Sequence, residues 1–475
     1  MALYAVINGN KPCKGSFIRY VLLKSRLRDD LFREFRLLLP PRVTPTVILL
    51  APTISDPSEH GMMEEDQIQL WRVVDGAHAE IFGRGKLNRF QLFRLSRRLS
   101  RTPNLQVLSI VRVNFECESA IRLASCLRDH PALSQVSFSD CEDEDGFLVD
   151  ALAETLQYNS NITSLDFHGC WTKRTSSIDL GKVLSAAKHI LDLRVVFCDV
   201  DKELATSIAS GLERNQSLKS LDLTGNGIDG DSMEILKEGL LRNGSLTHLK
   251  LDFNPIGDRG VAHLADALTV NERLSELHLF RVNITPIGAE ALAKALEVNR
   301  GLQMLETTYN AIGDRGVAAF ARALTVNTTL KRLFSPVNGA GEDGIVEFAR
   351  RLPEMRGLEG LSLGMLLDDR AVDALIEGLK CNTVLQDLFM EMPIEDADKT
   401  EAIDFYLRLN RSGRRLVRDP SVPKGLWPHV LGRASSHISD DGTPDALHYL
   451  LQARPDLLCG NGCFGLGESE HTVVY

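Results

Sequence analysis

The chain has 475 residues, of which 44% are hydrophobic and 25% are charged, and its net charge is −10 at pH 7. These are the values of a globular protein, and the acidic balance argues against general nucleic-acid binding, which requires a basic surface. Apolar runs such as residues 47–51 are far too short to span a bilayer, and residues 1–10 lack the long apolar stretch of a signal peptide. We therefore expect a cytoplasmic protein that neither binds nucleic acid nor inserts into a membrane.

Residues 1–100 show no regular leucine pattern and are predicted to form an N-terminal cap or a small helical region. Residues 15–39 have helical apolar spacing, whereas residues 40–70 carry five prolines, which favour a loop. Residues 83–101 contain seven basic residues and no acidic one. The ordinary interpretation of such a stretch is a solvated helix face. The alternative is a contact for an anionic surface or an acidic partner.

A ladder of apolar residues with a 28-residue period then runs through most of the chain. Its eleven starting positions are Leu105, Leu133, Ile162, Ile190, Leu218, Leu246, Leu274, Leu302, Leu330, Leu358 and Leu385. From each position an apolar residue recurs three places on and usually two places after that, as in Leu218, Leu221 and Leu223. This alternation predicts a short strand, and the helical spacing of later residues such as Leu264 and Leu268 predicts a helix.

The pattern L-x-x-L-x-L, with a strand and a full helix in 28 residues, resembles the ribonuclease-inhibitor-like class of leucine-rich repeats. That class includes the repeat regions of NOD-like receptors and of Ran GTPase-activating proteins. The resemblance covers about residues 100–395, and residues 101–395 are therefore expected to be a leucine-rich repeat domain. It implies an α/β solenoid shaped as a horseshoe, with about eleven repeats, a parallel sheet on the concave side and helices outside.

The residue three places after the last ladder leucine is expected to lie in a buried turn, whose backbone groups need hydrogen-bond partners. This column reads Val113, Cys141, Cys170, Cys198, Asn226, Asn254, Val282, Asn310, Asn338 and Leu366. In the family that the repeats resemble, Asn or Cys at this place bonds the turn, and seven of these ten residues fit. The three cysteines are therefore predicted to be buried thiols rather than disulfide partners.

Three further patterns refine this prediction. Residues 254–262 and 310–318 read NPIGDRGVA and NAIGDRGVA, 56 residues apart, which indicates alternating repeat types or duplication of a two-repeat unit. The acidic run at residues 140–145 lacks the spacing of a calcium loop and is predicted to be a solvated loop. Four asparagines that precede a repeat are predicted to end a helix at a turn: Asn161, Asn215, Asn243 and Asn327.

Beyond the ladder, residues 396–456 are predicted to form a helical C-terminal cap. Residues 409–415 (LNRSGRR), together with residues 426–428, resemble the segment that follows the repeats in some algal leucine-rich repeat proteins. Residues 457–475 are rich in glycine and acidic residues and are expected to be disordered.

No motif in the sequence indicates catalysis. The phosphate-binding G-x-x-x-x-G-K-[S/T], the zinc-protease H-E-x-x-H and the nucleophile motif G-x-S-x-G are missing, and the histidines are scattered. Cys459 and Cys463 form a C-x3-C pair without the further ligands of a zinc site. We therefore predict no catalytic residue, no metal and no cofactor.

The repeat geometry predicts which side chains face the concave surface. Six of them are candidate partner-binding residues: Phe253, His278, Phe280, Arg281, Tyr309 and Phe334. Neighbouring strands lie about 5 Å apart, so these side chains are expected to touch across the sheet. Aromatic residues and arginine are the types that anchor protein interfaces. For Phe334, as for Phe389, the alternative is burial under the C-terminal cap.

We therefore predict a non-enzymatic, monomeric scaffold that binds a protein partner through its concave face. One alternative is a GTPase activator of the Ran-directed class, which shares this repeat type, although no long acidic tail or activating loop residue is matched. The other is an inhibitor of a basic enzyme, similar to ribonuclease inhibitor, which suits the net charge of −10 but not the low cysteine content. Strong salt dependence of binding would favour the inhibitor.

Overall fold

The computed structural model describes residues 72–75, 77–143, 145–170, 179–336, 338–364, 368–390, 394, 396–417, 426–436 and 445–454. The predictions for some parts of the sequence lie outside these residues: residues 15–39, residues 40–70, Leu366, Cys459, Cys463 and residues 457–475.

One long sheet runs through the described part of the chain. Its strands are β1 (Arg72–Asp75), β2 (His78–Lys86), β3 (Val107–Phe115), β4 (Gln135–Ser139), β5 (Glu142–Asp143), β6 (Ser164–His168), β7 (Asp192–Val196), β8 (Ser220–Asp222), β9 (His248–Lys250), β10 (Glu276–His278), β11 (Met304–Glu306), β12 (Arg332–Phe334), β13 (Gly360–Ser362) and β14 (Asp387–Leu388). They pair in chain order and in parallel, except that β1 is antiparallel to β2 and the short β5 pairs with β3. Apart from β1, β2 and β5, each strand begins two residues after a predicted ladder position. The prediction of an α/β solenoid with eleven strand–helix repeats is therefore confirmed.

Helices alternate with these strands and form the second layer. They are α1 (Arg89–Leu99), α2 (Cys117–Arg128), α3 (Phe147–Leu156), α4 (Leu180–Ala186), α5 (Lys202–Arg214), α6 (Gly230–Arg242), α7 (Gly257–Leu268), α8 (Pro286–Val298), α9 (Gly313–Val326), α10 (Glu342–Arg351), α11 (Asp369–Cys381), α12 (Ala397–Arg411), α13 (Arg414–Val417), α14 (Trp427–Ser436) and α15 (Asp445–Ala453). Ladder leucines of adjacent repeats, such as Leu249, Leu277 and Leu305, stand side by side in the sheet and are buried. The core is therefore one continuous apolar layer between the sheet and the helices.

A column of buried asparagines, the helix-end ladder, joins the C-termini of successive helices. Its members are Asn159, Asn215, Asn243, Asn271, Asn299, Asn327, Asn382 and Asn410. In each complete link the amide donates back to the preceding repeat. Asn243, for example, donates to the carbonyls of Leu212 (2.7 Å) and Asn215 (3.0 Å). Its side-chain oxygen accepts from the N–H groups of Ser245 (2.9 Å) and Leu246 (2.7 Å). Three of the four asparagines predicted to end helices belong to this ladder.

The fourth of those asparagines, Asn161, does not belong to the ladder. Its side chain is exposed, and the equivalent ladder position is taken by Asn159, two residues earlier. The ladder therefore occupies the position three residues before the first apolar residue of a repeat, which Asn161 does not.

The predicted turn column forms a second ladder on the other side of the repeat. The side-chain oxygen of Asn254 accepts from the N–H groups of Asn226 (2.8 Å) and Ile228 (3.0 Å), and its amide donates to the carbonyl of Leu223 (2.9 Å). The Cys198 thiol plays a similar part by donating to the carbonyl of the preceding repeat. Cys141, Cys170 and Cys198 are free thiols, as predicted, but only Cys141 and Cys198 are buried and Cys170 is half-buried.

Two kinds of repeat alternate in the centre of the array. Residues with a left-handed backbone after the turn fall into two sets spaced by 56 residues: Gly227, Asn283 and Gly339 in one, and Gly257 and Gly313 in the other. In the second kind, the aspartate of GDRG caps the helix of the next repeat. Asp258 accepts from the N–H groups of Thr285 (2.8 Å) and Gly288 (3.0 Å), and Asp314 likewise accepts from the start of α10. The 56-residue pattern therefore has a structural cause in these shared caps.

Both ends of the described array depart from the repeat. At the N-terminal end, β2 places Ala79 and Ile81 in the core, so the sheet extends before the boundary predicted at residue 101. At the C-terminal end, Asn410 ends the asparagine ladder, and the buried Arg414 donates to the carbonyls of Leu379 (3.1 Å) and Lys380. The LNRSGRR segment therefore caps the C-terminal end of α11. The division of the chain into domains remains a prediction.

The acidic run at residues 140–145 is not wholly solvated, contrary to the prediction. Asp143 is only 6% exposed, lies in β5 and accepts a hydrogen bond from the N–H of Leu148 at the start of α3 (3.0 Å). Burial raises the pKa of Asp143 to about 6. The run therefore includes a helix cap, which charge alone did not reveal.

Replacing Asn243 by alanine is expected to lower the free energy of unfolding by about 3 kcal/mol, because buried backbone groups in two repeats lose their partners. Asn161→Ala is the matched control, since its side chain is exposed, and we expect it to cost under about 1 kcal/mol. Urea denaturation followed by circular dichroism measures both. Equal losses would mean that the ladder does not carry the stability assigned to it.

Candidate functional site on the concave face

Three of the six predicted site residues form a continuous aromatic strip. The ring centroids of Phe253 and Phe280 are 5.0 Å apart, and those of Phe280 and Tyr309 are also 5.0 Å apart. Phe253 is 36% exposed, and the other two rings are half-buried. These three residues, called the aromatic strip below, come from adjacent repeats. The prediction that they touch across the sheet is therefore correct.

The strip depends on an unusual backbone conformation at the end of each strand. Phe253, Arg281 and Tyr309 have φ values of 57°, 54° and 57°, in the left-handed region that bulky L-residues rarely adopt. The equivalent residues of earlier repeats share this conformation: Arg112, Asp140, Gly169, Phe197 and Gly225. The turn therefore imposes the conformation, and a large side chain placed there is held at a cost of about 1–3 kcal/mol.

His278 and Arg281 flank the strip on the same repeat. His278 is half-buried on β10 and lies opposite Lys250 and Glu306 in the neighbouring strands. Burial, and next the positive charge of Lys250, lower the pKa of His278 to about 4, so its ring is neutral at pH 7. Arg281 follows Phe280 directly and is exposed. The strip is therefore bordered by a neutral imidazole and an exposed cation.

Phe334 does not join the strip. Its side chain is 7% exposed, and its ring packs on Phe389 with a centroid distance of 5.5 Å. The six predicted residues therefore do not form one cluster, and the expectation that Phe334 is an accessible contact is wrong. The alternative, burial near the C-terminal end of the sheet, fits its position.

Two carboxylates beside the strip were not chosen as site residues from the sequence. Burial raises the pKa of Asp252 to about 6, although it accepts a hydrogen bond from the N–H of Phe280 at 2.8 Å. Burial also raises the pKa of Glu306 to about 7, against hydrogen bonds from the N–H (2.9 Å) and hydroxyl of Thr308. In the sequence, these two residues could have been noticed as acidic side chains at concave-face positions that lie among aromatic ones.

Charge on the rest of this face is mixed. Arg194 lies between Asp166 (3.4 Å) and Asp222 (3.7 Å) on neighbouring strands. Across the described ranges, no three His, Cys, Asp or Glu side chains come together as a metal-binding group does. None of the helices that the structure describes is both long enough and apolar enough to cross a membrane.

Comparison with known proteins supports the architecture. A family model described as Leucine Rich repeat matches residues 214–236 and 242–265, two consecutive periods that include β8 and β9. The chain carries leucine-rich repeats. No curated protein matches it. A solved structure titled "Leiomodin-1 Actin-Binding Site 2 (ABS2)" is 20% identical and covers 34% of this chain and 92% of its own, with a TM-score of 0.31. A TM-score this low supports no inference about the leucine-rich repeats of this chain.

Glycine is expected to be tolerated better than alanine at Phe253, because alanine keeps the strain of a left-handed L-residue. We expect Phe253→Gly to unfold with a free energy about 1 kcal/mol higher than Phe253→Ala. Phe280, whose φ is not positive, provides the control. There the free energy of unfolding of Phe280→Ala should be higher than that of Phe280→Gly, by up to about 1 kcal/mol. Chemical denaturation of the four variants tests this. The same order at both positions would contradict the argument.

The raised pKa of Glu306 predicts how stability depends on pH. Burial favours the protonated form of the Glu306 carboxyl. The stability that the protonated carboxyl contributes is present below its ordinary pKa of 4.5 and is lost as the pH rises through about 7. One pKa unit corresponds to about 1.4 kcal/mol, so the loss amounts to about 3 kcal/mol. We expect Glu306→Gln to remove this component and to be more stable than wild type at about pH 8.

Thermal or urea denaturation between about pH 5 and about pH 8 measures this effect. Glu297→Gln, exposed on α8, is the control. If wild type and Glu306→Gln gave parallel pH profiles, Glu306 would not titrate in this range.

Proposed function

We propose that this protein is a non-enzymatic interaction scaffold that binds a protein partner through the concave face of its leucine-rich repeats. The observation that carries the proposal is the aromatic strip, in which the tilted rings of Phe253, Phe280 and Tyr309 contact one another across three adjacent repeats. Repeat solenoids present extended concave surfaces suited to such binding. We further propose that the protein acts in the cytoplasm as a monomer and belongs to the ribonuclease-inhibitor-like class of these repeats.

The energetics of the strip support this proposal. Grouped aromatic rings that stay partly exposed gain nothing in water and gain most when a partner covers them. Phe253 and Tyr309 also occupy left-handed positions where glycine would be less strained, as Gly225 shows one repeat before Phe253. Large side chains kept in strained positions at an exposed surface are commonly retained for binding. The strip therefore has the properties of an interface anchor.

The charges beside the strip define the chemistry of the partner. Asp252 and Glu306 lie at its base, while Arg281 is exposed at its edge. A partner segment with an apolar side chain next to a cation would cover the rings and also neutralise a buried carboxylate. His278 is neutral at pH 7 and offers a hydrogen bond rather than repulsion to such a cation.

The inhibitor of a basic enzyme remains a second candidate because of these carboxylates. Against it, Arg194, Lys250 and Arg281 share the concave face, so its charge is mixed rather than acidic. Binding dominated by the strip would depend weakly on salt, whereas binding to a strongly basic enzyme would weaken steeply as salt is added. The alternative of a GTPase-activating protein stays a prediction, and none of the contacts described above supports it.

Removal of the strip is expected to abolish partner binding without unfolding the chain. Wild type and Phe280→Ala/Tyr309→Ala are immobilised, and proteins retained from a native lysate are quantified by mass spectrometry. Candidate partners are then purified and titrated against both proteins. We expect at least about 100-fold weaker binding of the true partner by the double variant, because two anchors of about 1.5 kcal/mol or more are lost.

Ile287→Ala/Val326→Ala is the matched control, since both side chains are exposed on the outer helices and equally apolar. The control variant should retain the partner with wild-type affinity. If the purified partner bound the strip variant as tightly as wild type, while both variants unfolded normally, the concave face would not be its site.

A further inference from the structure

The first described helix, α1, exposes two phenylalanines on its outer face. Phe90 is 66% exposed and Phe93 is 58% exposed, whereas Leu92, Leu95 and Leu99 of the same helix are buried against the core. The helix therefore has a normal apolar face towards the sheet and a second apolar group on the solvent side. Packing within the repeat does not require the second group.

The same outer face is strongly basic. Arg94 and Arg97 on the helix and Arg101 just beyond its end are exposed, and the guanidinium of Arg94 lies 5.4 Å from the ring centroid of Phe90. No acidic residue occurs between residues 83 and 101, in a chain whose net charge is −10. We call Phe90, Phe93, Arg94, Arg97 and Arg101 the α1 patch.

Several outer helices elsewhere in the array pair basic residues with carboxylates of an adjacent repeat. Such cross-helix ion pairs are Lys182–Asp150, Lys202–Asp231, Arg242–Glu213, Arg259–Asp231 and Arg370–Glu342. At the first turn of α1, Arg89 has such a partner, Glu118. Among the described residues, no carboxylate pairs with Arg94, Arg97 or Arg101. The positive charges of the α1 patch therefore lack the paired carboxylates that the basic residues of those other helices have.

Helix electrostatics explain only part of this pattern. Basic side chains in the last turn are stabilised by the negative end of the helix dipole, which accounts for Arg97 and its neighbours. The dipole does not explain exposed phenylalanines beside them. One repeat further on, Ile121 takes the place equivalent to Phe93 and is 54% exposed, so the apolar part of the surface continues onto α2.

We propose that the α1 patch is a second interaction surface, which binds an acidic protein segment that also carries apolar side chains. Arginine forks bind carboxylates in a bidentate manner, and phenylalanines provide the apolar anchors of an interface. A segment of alternating acidic and apolar residues satisfies both parts of the patch. The surface lies on a helix, away from the aromatic strip, so the proposal is independent of the concave site.

An anionic membrane fits the same surface less well. Helices that lie in a membrane interface bury a full apolar face, but the apolar face of α1 is already used by Leu92, Leu95 and Leu99. With 11 residues, α1 is about 16 Å long, a length that suits one short peptide segment.

A displayed library of random peptides of about 12 residues, long enough to follow α1, is selected on the full-length protein. We expect enrichment of peptides that combine Asp or Glu with Phe, Leu or Trp. Their affinity should fall about tenfold or more for Arg94→Glu/Arg97→Glu and for Phe90→Ala/Phe93→Ala, and should fall with added salt for wild type. All substituted side chains are exposed, so the variants are expected to fold, although reversing the charge of Arg97 in the last turn should cost up to about 1 kcal/mol through the helix dipole.

Ile287→Ala and Arg322→Glu, on other outer helices, are the matched controls and should keep wild-type affinity. The strip variant Phe280→Ala/Tyr309→Ala should also bind the peptides, which separates this proposal from the concave site. Enriched peptides without an acidic excess, or equal binding to the patch variants, would overturn the proposal. Sedimentation with phosphatidylserine vesicles, lost in the patch variants, would assign the surface to membranes instead and equally overturn it.

Discussion

The structure depends on the satisfaction of backbone groups that each repeat leaves open at its two turns. No single repeat can do this alone: the amide of Asn243 reaches carbonyls at the end of the preceding helix, and the oxygen of Asn254 accepts from N–H groups of the preceding turn. An unsatisfied buried backbone group costs as much as several favourable contacts provide. Hydrogen bonds of this kind therefore fix the spacing between repeats at both layers, which pure leucine packing would not do.

A fixed spacing has a direct effect on the exposed face of the sheet. Because the strands stay in register, side chains at one position of the repeat form straight columns, and a ring in one column can meet a ring in the adjacent column of the next repeat. The left-handed residue after each strand recurs from Arg112 to Tyr309 and so belongs to the architecture rather than to any function. What distinguishes the aromatic strip is the presence of Phe253 and Tyr309 at a position where Gly225 shows that glycine suffices, with Phe280 between them.

Much of the fold could be predicted from the sequence because the sequence repeats. The ladder leucines located every strand from β3 to β14 except β5, and the Asn and Cys column located the inner turns. Features set by a single contact were not readable. The burial of Asp143 depends on a helix cap within an acidic run, and the pairing of Phe334 with Phe389 depends on where the array ends. Strand β2 escaped notice because Ala79 and Ile81, rather than leucines, fill its core positions.

The same distinction separates structural from functional residues in this chain. A feature present in every repeat is explained by stacking, since each repeat must present the same groups to its neighbours. A feature that breaks the pattern at an exposed position has no such explanation. The aromatic strip breaks it on the concave face, and the α1 patch breaks it on the outer face, where other helices pair their charges. Arg414 also breaks the pattern, but it is buried and caps α11, so its departure is explained by the end of the array. Exposure, rather than irregularity alone, therefore identifies the two surfaces at which a partner is expected.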